Sequence, residues 1–296
     1  MGAVMAGEWL GYLRAIAGRV RGALLDFLEK IEIPRSAAEA KALEKEADGV
    51  ACRALLDALG ELGLSCVLVC EDLGVREIGS PGPGGPYLVV DPLDGTRNFT
   101  RGIWVASVSL AVCSGPGLEH AREALVLDIF TGREFWAVAG HGAFSGKGRL
   151  SASTTSELDK AVVSVDQSRI ERSSGSWVVE LASAVDATRQ LGSAALELCL
   201  LASGALDAHV DIRGRIRPTD VAAGLLIARE AGAWAWVRGS QRPGIALTPD
   251  EKILLLAAAP GLFASLRELL RPFLPEGGLI LEGAPLKGQN RPRGLR

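Results

Sequence analysis

A mixed α/β fold is what this 296-residue sequence predicts, on three observations. Two helix-length stretches with apolar residues three and four apart open the chain. Strand-sized apolar or alternating runs, bounded by glycine and proline, fill its middle. Strand-sized and helix-sized segments then alternate almost to the end. The composition, 48 % hydrophobic and 23 % charged, excludes a disordered or collagen-like chain. The length allows one large domain or two lobes of about 150 residues each, and either buries a real core. The boundary is drawn at residue 150, giving lobes 1–150 and 151–296.

The first helix is predicted over 8–31, where Trp9, Leu13, Ile16, Val20, Leu24, Phe27 and Ile31 form one apolar stripe. It stops ahead of Pro34, which disfavours helix at the residue before it. A second helix runs from Ala38 to Leu62 and breaks at Gly63. Val67–Val69, flanked by Cys66 and Cys70, has strand size. Residues 79–86 (GSPGPGGP) can only be a loop. Tyr87–Val90 is the next strand and ends on Asp91. Val105–Val112 alternates as a strand does. Leu125–Ile129 and Arg133–Val138 flank Phe130-Thr131-Gly132, a hairpin signal. The glycine-rich stretch from Gly140 to Gly148 closes the first half.

The second half reads as strand Ala161–Val165, a polar loop Gln167–Ser176 (a lid or a surface connection), and a helix over Trp177–Val185. A strand near Thr188, helix Ser193–Ala202 and strand Leu206–Val210 follow. The helix Thr219–Glu230 stops at Gly232. Strand Ile253–Ala259 and helix Leu262–Leu270 come last. The tail from Gly283 carries Lys287, Arg291, Arg293 and Arg296 with no acid, and reads as a solvated end.

A net charge of −3 does not suit a nucleic-acid binder, which needs clustered positive charge. No apolar run reaches the ~18 residues that span a bilayer. Neither a signal peptide nor a myristoylation pattern is read at the N-terminus, where Ala6 stands in place of Ser or Thr. A cytoplasmic protein is expected. Cys52, Cys66, Cys70, Cys113 and Cys199 contain no Cys-x-x-Cys pair, so they read as buried apolar thiols. Asn98 and Asn290 are the only asparagines, a scarcity that suits a thermophilic source or a biased genome composition.

The densest chemical signal is Asp91-Pro92-Leu93-Asp94-Gly95-Thr96. Two carboxylates stand three residues apart after an apolar strand, and Gly95 lets backbone approach a ligand. A helix beginning at Thr96 would add N–H groups for an anion. Carboxylates with phosphate oxygens are the donor set of Mg²⁺. The plain alternative is an Asp-rich turn. A calcium loop is excluded, because its twelfth residue would be Gly102. Glu71-Asp72 follows another apolar run and is by itself a surface pair. Asp220 opens a helix and is by itself a cap. Asp48 sits on a charged helix and reads alone as solvated. Gly192-Ser193-Ala194-Ala195 suits either a phosphate contact or close packing.

Taken in order, these segments resemble the inositol monophosphatase family of Mg²⁺-dependent, Li⁺-sensitive phosphatases. Its Asp-Pro-Ile/Leu-Asp-Gly-Thr motif is Asp91–Thr96, and its Trp-Asp-x-Ala-Ala-Gly motif is Thr219–Gly224. Its Gly-Glu-Glu is Cys70-Glu71-Asp72, and Gly192–Leu196 and Ala202–Ala208 fit further stretches. The resemblance covers roughly residues 8–270. Lys45 replaces the usual Ser or Thr three residues before Asp48, and Thr219 replaces Trp. The arginine-rich segment Asp211–Arg217 is similar to the archaeal branch, which hydrolyses both inositol monophosphate and fructose 1,6-bisphosphate. Guanidinium suits a second phosphate.

The resemblance implies a layered α/β (α+β) sandwich of the sugar-phosphatase type. An N-terminal lobe with an antiparallel sheet would precede a smaller α/β C-terminal lobe. It implies two or three Mg²⁺ ions, with Mn²⁺ as the alternative. Asp91 would bridge two ions roughly 4 Å apart. Glu71 and the Leu93 carbonyl would serve one ion, Asp94 and Asp220 the other. Asp48, Glu71 and Thr96 would be catalytic, with Thr96 and Asp48 orienting the attacking water. Gly95 and Thr96 N–H groups would hold phosphate. Asp94, Arg189, Ser193, Ala194, Asp211, Arg213 and Arg215 would contact substrate. The expected partner is a small phosphorylated polyol or sugar, with no nucleic acid and no membrane, and the expected assembly a homodimer. Two alternatives stand: a 3′-phosphoadenosine 5′-phosphate or NADP phosphatase on the same scaffold, and a non-catalytic phosphate-binding scaffold.

Overall fold

The two leading amphipathic segments fold as helices α1 (Leu10–Leu28) and α2 (Ala37–Glu61) in the computed structural model, which describes residues 7–146, 148–170, 175–239 and 245–285. The stripe Leu13, Ile16, Val20 and Leu24 is fully buried, as its spacing requires. Ser36 caps α2 by accepting from the Glu39 N–H at 3.2 Å. The pattern around Met1, part of the Gln167–Ser176 loop and most of the basic tail lie outside the described residues.

The first sheet follows: β1 (Cys66–Cys70), β2 (Gly74–Ile78), β3 (Tyr87–Asp94), the short helix α3 (Thr96–Thr100), β4 (Ser107–Cys113), β5 (Ala121–Asp128), β6 (Glu134–Val138), β7 (Gly142–Ser145) and β8 (Gly148–Arg149). Its strand order is β2-β1-β3-β4-β5-β6-β7-β8. Only β1 and β3 run parallel; the other neighbours are antiparallel. The predicted hairpin is β5–β6. The glycine-rich stretch Gly140–Gly148 is not a plain closing loop, since it supplies β7 and opens β8. Its glycines sit at the turns, and the residues between them pair with β6.

The second sheet comprises β9 (Val162–Val165), β10 (Ala187–Arg189), β11 (Ala208–Ile216), β12 (Trp234–Gly239), β13 (Ile253–Ala258) and β14 (Leu279–Leu281), in the order β10-β9-β11-β13-β12-β14. Helices α4 (Ser176–Ala184), α5 (Ala194–Ala202), α6 (Pro218–Glu230) and α7 (Phe263–Leu270) connect its strands. Besides β7 and β8, three strands escape a reading of the sequence. β2 carries three exposed residues and so no apolar alternation. β12 mixes tryptophan, alanine and arginine, and β14 has three residues. The arginine-rich segment Asp211–Arg217 is not a free loop either, because β11 continues through it to Ile216.

Three apolar clusters give five layers. Helices α1 and α2 cover one face of the first sheet through Leu13, Leu55, Leu68, Leu88 and Leu110. Helices α5 and α6 fill the space between its other face and the second sheet, touching Val89, Ala111 and Val126 on one side and Leu255 and Ala257 on the other. Helices α4 and α7 close the outer face of the second sheet through Trp177, Leu181 and Leu266. The result is the layered α/β sandwich that the resemblance implies. Among the described residues no helix is long and apolar enough to cross a membrane.

Gly224 sets how closely α5 and α6 approach. A Cβ there would meet Leu198 Cβ at 2.8 Å and the Ala195 carbonyl oxygen at 2.9 Å. Alanine normally gains about 1 kcal/mol over glycine inside a helix, but overpacking costs about 1–3 kcal/mol. Here the colliding atoms are a Cβ and a backbone oxygen, neither of which can swing away, so the cost wins. Gly224→Ala is expected to lose stability by about 1 kcal/mol or more in urea denaturation. Equal or greater stability would show that the two helices separate freely.

Candidate metal centre

Strand register brings the first two carboxylates together. β1 and β3 are parallel, with Cys70 opposite Val90, so the next residues, Glu71 and Asp91, emerge at one sheet end. Asp91 and Asp94 are three apart and would point to opposite faces of a regular strand. A bulge corrects this. Asp91 pairs with Ser109 and Asp94 with Ser107, so three steps on β3 match two on β4. Both carboxylates therefore face α5 and α6. Asp220 arrives from the first turn of α6. Carboxylate oxygens of Glu71, Asp91 and Asp220 lie within 4.8 Å of one another.

Each carboxylate has its own local donors. The Leu93 N–H donates to Asp91 Oδ1 at 3.1 Å. Ser193 Oγ and the Ala195 N–H donate to Asp94 Oδ2 at 2.6 and 2.9 Å. The Arg217 N–H and the Thr219 hydroxyl donate to Asp220, each at 2.9 Å. The Arg217 guanidinium pairs with Glu71. Burial and mutual repulsion still dominate. Burial, then Asp94, Asp220 and Glu71, hold the Asp91 carboxyl well above its usual range. Burial pushes Asp94 and Asp220 up to about 6 each, and raises Glu71, helped by Asp220. Such a group of oxygen donors fits a hard divalent cation.

Thr96 stands at the rim. Its hydroxyl lies 2.8 Å from Asp48 Oδ1 and 2.9 Å from the Leu93 carbonyl oxygen. Burial pushes Asp48 up to about 6 against the opposing Thr96 bond. Asp48 is thus a partly buried residue tied to the Asp91–Thr96 segment, not a solvated one. Gly95 has φ +91°, and a Cβ there would meet the Val105 and Gly192 carbonyl oxygens at 2.8 and 3.2 Å. Only glycine fits that junction. Asn98 Nδ2 crosses it, donating to Val105 O at 3.0 Å and Leu191 O at 2.7 Å.

A cleft of about 130 Å³ opens beside the carboxylates. Its lining includes Asp94, Ala194, Asp211, Arg213, Arg215 and Asp220. Ser193 lies buried behind it as the α5 cap. Arg189 does not line it; this exposed side chain donates to its neighbour's carbonyl, Thr188 O, at 2.8 Å. Arg213 reaches Asp211 through Nε (2.9 Å) and Nη2 (2.6 Å), Asp166 through Nη2 (2.6 Å), and the Ser168 carbonyl and hydroxyl through Nη1 (2.8 Å each). Those contacts engage all five guanidinium N–H groups. Asp166, Glu197, His209 and Arg217 escaped the sequence reading. Asp166 carried a usable signal: like Asp91 and Glu71, it directly follows an apolar strand.

Comparison with known proteins now adds to this geometry. The model of the inositol monophosphatase family matches residues 15–275. A fructose-1,6-bisphosphatase/inositol-1-monophosphatase of Archaeoglobus fulgidus is 32 % identical over 87 % of this chain and 96 % of its own length. A protein of the same description from Methanothermobacter thermautotrophicus is 36 % identical over 59 % of this chain and 64 % of its own length, just under two thirds. The solved structure of an extragenic suppressor from Pyrococcus furiosus superposes with a TM-score of 0.67 at 30 % identity, covering 90 % of this chain and 100 % of that one. With the ordered motifs and the sandwich fold, these matches show that the chain belongs to the inositol monophosphatase family.

Proposed function

We propose that the protein is a metal-dependent phosphomonoesterase acting on small phosphorylated sugars or polyols. The observation that carries this reading is the convergence of Glu71, Asp91 and Asp220 beside a small polar cleft. The family is metal-dependent, and its archaeal relatives bear fructose-1,6-bisphosphatase/inositol-1-monophosphatase names. The cleft lining holds no Phe, Tyr or Trp, and its one ring, His209, is wholly buried, so no exposed platform supports an adenine-reading phosphatase.

The oxygen-only donor set favours Mg²⁺, with Mn²⁺ as the alternative. Glu71, Asp91, Asp94 and Asp220 would hold two or three such ions, with the Leu93 carbonyl as a further donor. When bound there, the cation supplies Lewis-acid polarisation of the phosphoryl group and a more acidic water. The remaining work falls to the protein. Thr96 has one hydroxyl proton, shared between Asp48 and the Leu93 carbonyl, so its oxygen can accept from a water. Asp48, raised to about 6, is suited to take the proton that this water loses. Gly95 and Thr96 N–H groups orient the phosphate, and the missing Gly95 Cβ lets the Val105 and Gly192 carbonyls pack against this turn. Asp211 and Ala194 bound the alcohol end, and Arg215 supplies positive charge there. Arg213 acts by fixing Asp211, since its donors are engaged. The reading extends to a homodimer; Trp104, 76 % exposed beside Ile103, is the kind of apolar surface that subunit contacts cover.

Three outcomes are expected. Asp91→Asn removes a central charge and lowers Mg²⁺-dependent phosphate release from inositol 1-phosphate by about a thousandfold or more. Near-native turnover at saturating Mg²⁺ would overturn the assignment. Asp48→Ala lowers kcat by about a hundredfold to ten-thousandfold, with less effect than Asp91→Asn on Mg²⁺ affinity; weak Mg²⁺ binding with normal turnover would reverse its role. The third concerns pH. Asp48, Asp94 and Asp220 titrate at about 6 in the folded chain against a usual 3.8. The raised values mean that their contribution to stability is full below about pH 4 and is lost as pH rises through about 6. In chelator, melting temperature should therefore fall between pH 5 and 7.5. Mg²⁺ should raise it more at pH 7.5 than at pH 5. Equal Mg²⁺ effects at the two pH values would contradict the crowded-carboxylate account.

A further inference from the structure

His209 lies near the start of β11, its ring wholly buried between Ser164 of β9 and Glu197 of α5. Nδ1 is 2.9 Å from Ser164 Oγ and 3.8 Å from Glu197 Oε2. Nε2 is also buried, and it meets no hydrogen-bond partner among the described residues. A buried orphan of this kind calls for an explanation. His209 is one of the residues lining the cleft that also touches Asp94, Asp211 and Asp220. The other orphan, Ser109 Oγ, does not line that cleft.

The chemistry of this inner wall suits hydroxyls better than anions. Burial pushes Glu197 up to about 8 and His209 down to about 4, so near pH 7 both are uncharged. The Arg213 guanidinium is engaged by Asp166, Asp211 and Ser168. What the wall offers a ligand is a neutral ring nitrogen and the carboxyl oxygens of Glu197 and Asp211, which pair with O–H groups.

We propose that His209 is a specificity-determining residue, its Nε2 pairing with a hydroxyl of a polyol monophosphate at the end remote from the phosphate. The proposal rests on the phosphomonoesterase reading of the same site. β11 holds the ring in register and Ser164 fixes its tilt; because Nε2 is closed to solvent in the free chain, the hydroxyl reaches it only as the wall beside it yields.

The test compares affinities for inositol 1-phosphate and inorganic phosphate by titration calorimetry, with Ca²⁺ as the cation to limit turnover. Wild type, His209→Phe and His209→Gln are measured side by side. The ratio favouring inositol 1-phosphate should fall about three- to tenfold in His209→Phe, the size of one buried hydrogen bond. It should fall less in His209→Gln, whose amide keeps a hydrogen-bonding atom. An unchanged ratio in His209→Phe overturns the proposal. If that variant does not fold, His209→Asn decides, since its amide can still pair with Ser164 but stops short of the Nε2 position: a lowered ratio supports the contact, and an unchanged one overturns it. A wild type that binds inositol 1-phosphate no better than inorganic phosphate also overturns it. Failure of the underlying reading looks different: wild type would keep its preference for inositol 1-phosphate yet release no phosphate from it with Mg²⁺.

Discussion

Repulsion among four carboxylates is the constraint around which this molecule is organised. Glu71, Asp91, Asp94 and Asp220 come from two strands and a helix and are pressed together by the packing of α6 on the first sheet. An unfolded chain would hold them apart. The fold tolerates their approach by giving each an adjacent donor: a Leu93 amide, the start of α5, the Arg217 amide and the Arg217 guanidinium. Those donors reduce the repulsion without cancelling it, since all four carboxyls still titrate above their usual range. The apolar layers on either side supply the remaining stabilisation. A site of this kind is more comfortable with a cation than without one, and that preference is the basis of its chemistry.

Much of this was readable in the residues. The stripe on α1, the span of α2 and its stop at Gly63, the hairpin β5–β6 and the helix α6 follow from local spacing and turn chemistry. So does the prominence of Asp91–Thr96. What could not be read depends on pairing between distant segments. Nothing in Pro92-Leu93 announces a bulge, yet that bulge turns Asp94 to the same side as Asp91. The register of β1 against β3, which delivers Glu71 to Asp91, is likewise a property of two strands and not of either sequence. The arginine-rich run shows the opposite failure. Its charge is plain in the sequence, but charge says nothing of occupancy, and Asp166 and Asp211 engage Arg213. His209 carried no signal, because a histidine in an apolar strand looks like an ordinary core residue.

The site has two sides of different origin. The first sheet contributes Glu71, Asp91 and Asp94, and the second contributes Asp166, His209 and Asp211. A second break in strand regularity mirrors the first: between Asp211 and Ile216, β11 gains residues against β13, and this swelling carries Arg213 and Arg215 into the cleft. Regular strands build the walls, and their irregularities aim the groups that meet ligand. Sequence changes in β11 can thus alter recognition while leaving the carboxylates untouched.

The Asn98 amide, bonded at once to Val105 and Leu191, has a consequence for how such a cleft selects. It ties the short helix after the Asp91–Thr96 turn to the link that leads into α5, so the two sides of the cleft keep a set separation. A cavity with pinned ends measures span as a ruler does. On the proposed reading, molecules whose phosphorus and outermost oxygen stand at the wrong interval would be rejected by length.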